Sequence, residues 1–183
     1  MKARRLKSAE VHVREAEVED VFAIYPNILR EVLEWDFEPS LIARQTPLPS
    51  GRLDLLYLGK NKLFLVELKA EPFRAEFLTQ ALNYRRDLLQ MQSEGTLIAG
   101  NLSTVLLVTD FLPSEVGLAE TAGVTLSKYE PDTVLESFYR QLAGVSAFLT
   151  IRPKDYGVWN IHLLNRVLYA LPQHNTTDEL SRV

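Results

Sequence analysis

The sequence predicts an α/β layered domain with a mixed central β-sheet flanked by helices. Two patterns lead there. Segments with apolar residues at helical spacing alternate along the chain with apolar runs of strand length. Two of those runs are joined by a turn of hairpin length, and the later strands alternate with helices.

The elements follow in order. Residues 15–29 read as an amphipathic helix: Val18, Val21, Phe22, Tyr25, Ile28 and Leu29 recur at helical spacing among Glu15, Glu17, Glu19 and Asp20. Pro26 marks a kink or break near its end. Residues 33–40 are irregular. A first strand is expected at 41–45, then a loop carrying Pro47, Pro49, Ser50 and Gly51. Strands at 52–58 and 63–70 flank the turn Gly59-Lys60-Asn61-Lys62. Residues 73–92 form a long helix with Phe77, Ala81, Tyr84, Leu88 and Leu89 near one face, ending at Glu94-Gly95. A buried strand at 103–109, a short helix at 114–121, a strand at 124–129 and helices at 133–149 and 156–171 follow. The polar tail from Pro172 is expected to be disordered. The expected organisation is a core at 1–130, a C-terminal helical extension at 131–171 that packs on it or mediates dimerisation, and a tail at 172–183.

A chain of 183 residues suits one domain with an appended helical piece, and a hydrophobic fraction of 46% supports a sizeable core. The longest apolar runs, such as 104–108, are too short to span a bilayer. The basic start, with Lys2, Arg4, Arg5 and Lys7, is not followed by the apolar stretch of a secretory signal; it reads as a floppy terminus or as an arm that tracks a nucleic-acid backbone. The chain contains no cysteine, which excludes disulfides, thiolate zinc sites and a thiol nucleophile, and fits a reducing, cytoplasmic setting. A net charge of −4 argues mildly against strong non-specific nucleic-acid binding and for weak or structure-selective binding, or help from a partner. His12, His162 and His174 lack ligand spacing, no phosphate-binding Gly-Lys loop is present, and no hydrolytic triad assembles.

Two strands carry charges where a core sheet should not. Asp54 lies within Arg52-Leu53-Asp54-Leu55-Leu56-Tyr57, and Glu67 and Lys69 lie within Phe64-Leu65-Val66-Glu67-Leu68-Lys69. Side chains two apart on a strand share a face, and the hairpin puts Asp54 on the neighbouring strand. An isolated charge there costs several kcal/mol, about 2–7 for an unpaired polar group. A divalent cation removes that penalty: Mg²⁺ takes oxygen ligands, often one or two carboxylates with waters and phosphate oxygens. Asp54, Glu67 and the carbonyl of Leu68 suit that role, with Lys69 handling the water or stabilising phosphate charge. On spacing alone, a structural salt bridge at a solvated sheet edge stands as an equal reading.

These residues resemble a known family. Gly51-Arg52-Leu53-Asp54-Leu55-Leu56, Val66-Glu67-Leu68-Lys69 and Gln80-x-x-x-Tyr84 resemble the catalytic domain of NucS-type (EndoMS) endonucleases, of the PD-(D/E)XK nuclease superfamily with its restriction-endonuclease-like fold. The approach from Arg44 to Arg52 and the segments Glu15–Asp20 and Tyr25–Leu29 are similar too, so the resemblance covers roughly residues 14 to 130. It implies metal ligands at Asp54 and Glu67, a catalytic lysine at Lys69, an active-site glutamine at Gln80, and Tyr84 flanking the site or touching DNA. A first-helix glutamate completes the set: Glu19 is preferred, with Glu15 and Glu17 as rivals. The family's N-terminal DNA-binding domain has no counterpart before the first helix, and the helices after Tyr129 are not matched.

The expected function is therefore a Mg²⁺- or Mn²⁺-dependent DNA endonuclease, with a non-catalytic DNA-binding or protein-interaction module on the same fold as the alternative. Arg52 and Arg85 are the candidate phosphate contacts, and Arg86 shares the second position. The apolar stripes of the last two helices, Val134, Leu135, Phe138, Leu142, Val145 and Phe148, then Trp159, Leu163, Leu164, Val167 and Leu168, pack internally or form a homodimer interface. A protein partner that recognises the substrate is the third expectation.

Overall fold

The computed structural model describes residues 8–145, with side chains described for 14–142. The chain divides into two compact units, residues 1–138 and 139–183. The basic arm, the helix expected at 156–171, His162, His174 and the tail lie outside the described residues.

The helix expected at the N-terminal end is two: α1 (Ser8–Ile24) and α2 (Pro26–Val32). Pro26 has no N–H to donate, so it opens α2 at the first helical position and breaks the chain at Tyr25. Strands β1 (Ser40–Leu48), β2 (Gly51–Gly59) and β3 (Lys62–Leu68) form an antiparallel meander. Helix α3 (Ala75–Ser93) crosses to β4 (Asn101–Val108), parallel to β3, and α4 (Pro113–Thr121) crosses to β5 (Val124–Lys128), parallel to β4. Helix α5 (Pro131–Val145) follows. The sheet order is β1-β2-β3-β4-β5, a mixed sheet as the sequence predicts.

Strand β1 runs through Pro47, which the sequence assigns to a loop. It is an edge strand, where a missing N–H leaves no ladder partner wanting. The β2–β3 turn uses Lys60 and Asn61 at φ 47° and 58°, the left-handed pair that a two-residue hairpin requires.

Adjacent β2 residues serve opposite layers. Leu53, Leu56, Leu63 and Leu65 pack on Tyr84 and Leu88 of α3. Leu78 of the same helix packs with Leu106, Val108, Ala119, Val124 and Leu126. Tyr57 points to α1, where its hydroxyl donates to the carbonyl of Phe22 (2.8 Å). Each fully buried leucine contributes about 1.5–3 kcal/mol. Leu89, expected on the buried face of α3, is exposed. Val134 and Phe138 are buried within the chain, and Phe138 meets Tyr25 edge-on at 5.6 Å. Among the described residues no helix is long and apolar enough to cross a membrane.

Candidate active site

The site forms where β2 leaves β3. Their ladder ends at Leu55 opposite Val66, and one more step would set Asp54 opposite Glu67. Carboxylates replace the missing backbone bonds there. The Asp54 N–H donates to Glu67 Oε1 (3.2 Å), and the Leu68 N–H donates to Asp54 Oδ2 (2.9 Å). Meanwhile β3 stays paired with β4 as far as Leu68 opposite Leu107, so Glu67 is held while β2 diverges. Lys69 Nζ then lies 3.5 Å from Glu15 Oε1, 3.6 Å from Asp54 Oδ2 and 4.0 Å from Glu67 Oε2. The Tyr129 hydroxyl donates to the Lys69 carbonyl at 3.3 Å.

Three acids of α1, Glu15, Glu19 and Asp20, join from the facing layer. Glu15 Oε2 accepts from the Ala70 N–H (3.2 Å), so this residue grips both the Lys69 ammonium and the backbone beyond it. Glu19 accepts from Arg44 Nε (2.6 Å) and from Gln45 Nε2, and Arg44 also donates to Asp20. Gln45 Nε2 lies 3.3 Å from Asp54 Oδ1. Glu15 thus reaches Lys69 directly, whereas Glu19 reaches Asp54 through Gln45. Nothing in the sequence pattern assigns Arg44, Gln45 or Tyr129 an individual role. Two adjacent polar residues inside a strand were the available signal for the first two.

Among the described residues the cluster carries more acid than base: Glu15, Glu19, Asp20, Asp54 and Glu67 pair with Arg44 and Lys69. Burial, then the Asp54 charge, pushes the Glu67 carboxyl well above the usual range. Burial likewise raises Glu15 and Glu19 against the pull of Lys69 and Arg44. Burial opposes charge on Lys69 too, but Asp54, Glu15 and Glu67 outweigh it and raise its pKa, so it stands as an ammonium.

The remaining expected residues are placed as follows. Tyr84 is 4% exposed, and its hydroxyl accepts from the Arg52 N–H (3.1 Å) and from Gln80 Nε2 (2.7 Å). It is a strut under the β1–β2 turn. Gly51 lies so close that a Cβ there would stand 2.5 Å from that hydroxyl, and its φ of +149° favours glycine as well. Asp87 completes the brace by accepting from the Ser50 N–H (2.8 Å). Gln80 is tied to Tyr84 and not to an acid of the cluster. Arg85, expected as a phosphate contact, donates to the carbonyls of Ala122 and Gly123 after α4. Arg86 is exposed and donates to Ser50 Oγ, and Arg52 is exposed at the start of β2. Leu68 enters the site through its N–H.

Among the described residues, no three acidic or imidazole side chains gather closely enough to cage a metal ion by themselves. A two-carboxylate Mg²⁺ site does not need three. The donor set fits such an ion: Glu67 Oε2 is buried without a hydrogen-bond donor, and the Asp54 charge beside it disfavours its ionised form when no cation is bound.

The five-stranded mixed sheet with flanking helices is similar to the restriction-endonuclease-like fold. It is similar to EndoMS in complex with double-stranded DNA, with a TM-score of 0.51 and 19% identity over 72% of this chain and 50% of that one. A repair endonuclease from Pyrococcus abyssi (TM-score 0.49, 22% identity, 70% of this chain and 50% of that chain) and EndoMS in its apo form (0.45, 20%, 72% and 49%) are also similar. The chain spans about half the length of these proteins. No family model matches the sequence, and no curated protein matches it.

Proposed function

We propose that this chain is a divalent-metal-dependent DNA endonuclease that hydrolyses phosphodiester bonds. One observation carries the reading: Asp54, Glu67 and Lys69 converge where β2 parts from β3, with a buried carboxylate oxygen that lacks a donor. Fold likeness to an endonuclease bound to double-stranded DNA adds support. Asp54 and Glu67, with the Leu68 carbonyl, would hold Mg²⁺ or Mn²⁺. When bound, the ion supplies an activated water and neutralises charge on the scissile phosphate.

The chain's own groups have separate tasks. Lys69, held as an ammonium by the acids around it, donates to the attacking water or to a phosphate oxygen rather than taking a proton. Glu15 fixes where that ammonium points. Glu19 and Arg44 anchor the Asp54 side of the pocket. Gln80 and Tyr84 hold the β1–β2 turn, and the exposed Arg52 at the start of β2 and Arg86 of α3 would meet a DNA backbone. With a net charge of −4, the chain is read as structure-selective, with a second copy or a protein partner aiding recognition.

The test incubates the full chain with labelled single-stranded, duplex and branched DNA in Mg²⁺, Mn²⁺ or EDTA. Cleavage is expected with either ion and not in EDTA, and Asp54→Ala and Lys69→Ala should each lower it at least about 100-fold without unfolding the protein. Cleavage that survives EDTA or both substitutions overturns the reading. DNA binding without cleavage under any ion marks a non-catalytic module instead.

A further inference from the structure

Gln45 is the unusual residue of β1. The β1–β2 register sets Arg44 opposite Leu55 and Thr46 opposite Leu53, which leaves Gln45 across from Asp54. Its φ is +46°, a left-handed conformation that a residue other than glycine rarely adopts in a strand. That twist has a visible consequence. Side chains of adjacent strand residues normally leave on opposite faces. Here Arg44 and Gln45 both reach Glu19.

The amide then does what no other group in the cluster does. Gln45 Nε2 has two hydrogens; it donates to Glu19 and lies 3.3 Å from Asp54 Oδ1. The other Asp54 oxygen accepts the Leu68 N–H. Each oxygen of Asp54 thus has a neutral donor, Gln45 on Oδ1 and the Leu68 N–H on Oδ2, and the Lys69 ammonium stands only on the Oδ2 side, at 3.6 Å. A lysine or arginine at this place would compete with a bound cation; an amide does not.

We propose that Gln45 is a positioning residue, twisted into the site to orient the Asp54 carboxylate and tie it to α1 through Glu19. The inference rests on the metal-dependent reading of the site. It also gives the positive φ a purpose: relaxing that backbone to an ordinary strand would return the amide to the face away from Glu19.

Two substitutions separate the amide from the backbone. Gln45→Gly accepts the left-handed φ and removes the donor. Gln45→Met keeps the reach and removes the donor. The probes are Mn²⁺ alone, titrated calorimetrically into the DNA-free full chain, and steady-state cleavage of labelled DNA. Both variants should bind Mn²⁺ about 10–100-fold more weakly and lose kcat by a similar factor, with KM for DNA within about threefold of wild type. If the Met variant fails to fold, the Gly variant decides. A wild type that cuts DNA alongside variants that match it in Mn²⁺ affinity and kcat overturns the role of Gln45 alone. A wild type that neither binds Mn²⁺ nor cuts overturns the proposed function, and this inference with it.

Discussion

Replacing Glu67 by glutamine should stabilise the metal-free protein while ending the proposed cleavage. Glu67 is fully buried, one of its oxygens accepts the Asp54 N–H, and the other has no donor. Burial and the Asp54 charge both disfavour its ionised form, with Lys69 only partly offsetting them. Glutamine keeps Oε1 for the Asp54 N–H and presents an N–H where the unpartnered oxygen stood, next to the Asp54 carboxylate. Leaving a buried polar group unsatisfied costs about 1–3 kcal/mol, so the variant should gain about that much near neutral pH. For a chain of this size about 2–4 °C accompanies each kcal/mol, so the melting temperature should rise by about 2–12 °C. The pH dependence has a definite sign. The folded-state pKa lies above the unfolded one, so wild-type stability falls as pH rises from the ordinary carboxylate range towards the folded value. The gain from Glu67→Gln should be near zero at about pH 4 and grow above it. Mn²⁺ at about 100 times its dissociation constant should stabilise the wild type by about 2.7 kcal/mol and the variant by much less. Thermal melts in EDTA and in Mn²⁺ across pH read all of this. A variant that is less stable than wild type in EDTA at pH 7 refutes the reasoning.

Further outcomes follow from the braces around the site. Tyr84→Phe leaves the Arg52 N–H and Gln80 without their acceptor and should cost about 1–2 kcal/mol, or about 2–8 °C, by thermal denaturation. Arg85→Ala removes the donor to the Ala122 and Gly123 carbonyls and should lower stability by about 0.5–1.5 kcal/mol. The slope of DNA affinity against salt should stay the same in that variant, whereas a lost phosphate contact would reduce it by about one unit in filter-binding measurements.

Much of the fold is legible because hydrophobic periodicity is a local property. The meander, the α3 crossover and the two-residue turn at Lys60-Asn61 all declare themselves in short windows. Asp54 and Glu67 stand out for a related reason, as charges set among leucines and valines in strands, and Lys69 as a charge one residue past the end of β3. What escapes is whatever depends on distant partners. Pro47 is tolerated because β1 is an edge, which no window around residue 47 reveals. Tyr84 and Arg85 take their roles from a turn and a helix end more than thirty residues away in sequence. The alternation rule sends Arg44 and Gln45 to opposite faces, and no glycine advertises the left-handed twist that brings them together.

The most direct measurement is anomalous diffraction at the manganese edge from crystals of the full chain grown with Mn²⁺. The account predicts one strong peak between the carboxylates of Asp54 and Glu67, beside the Leu68 carbonyl, with Lys69 still paired to Glu15. Density for the ion only at surface acids, with Lys69 bonded directly to both inner carboxylates, would contradict it.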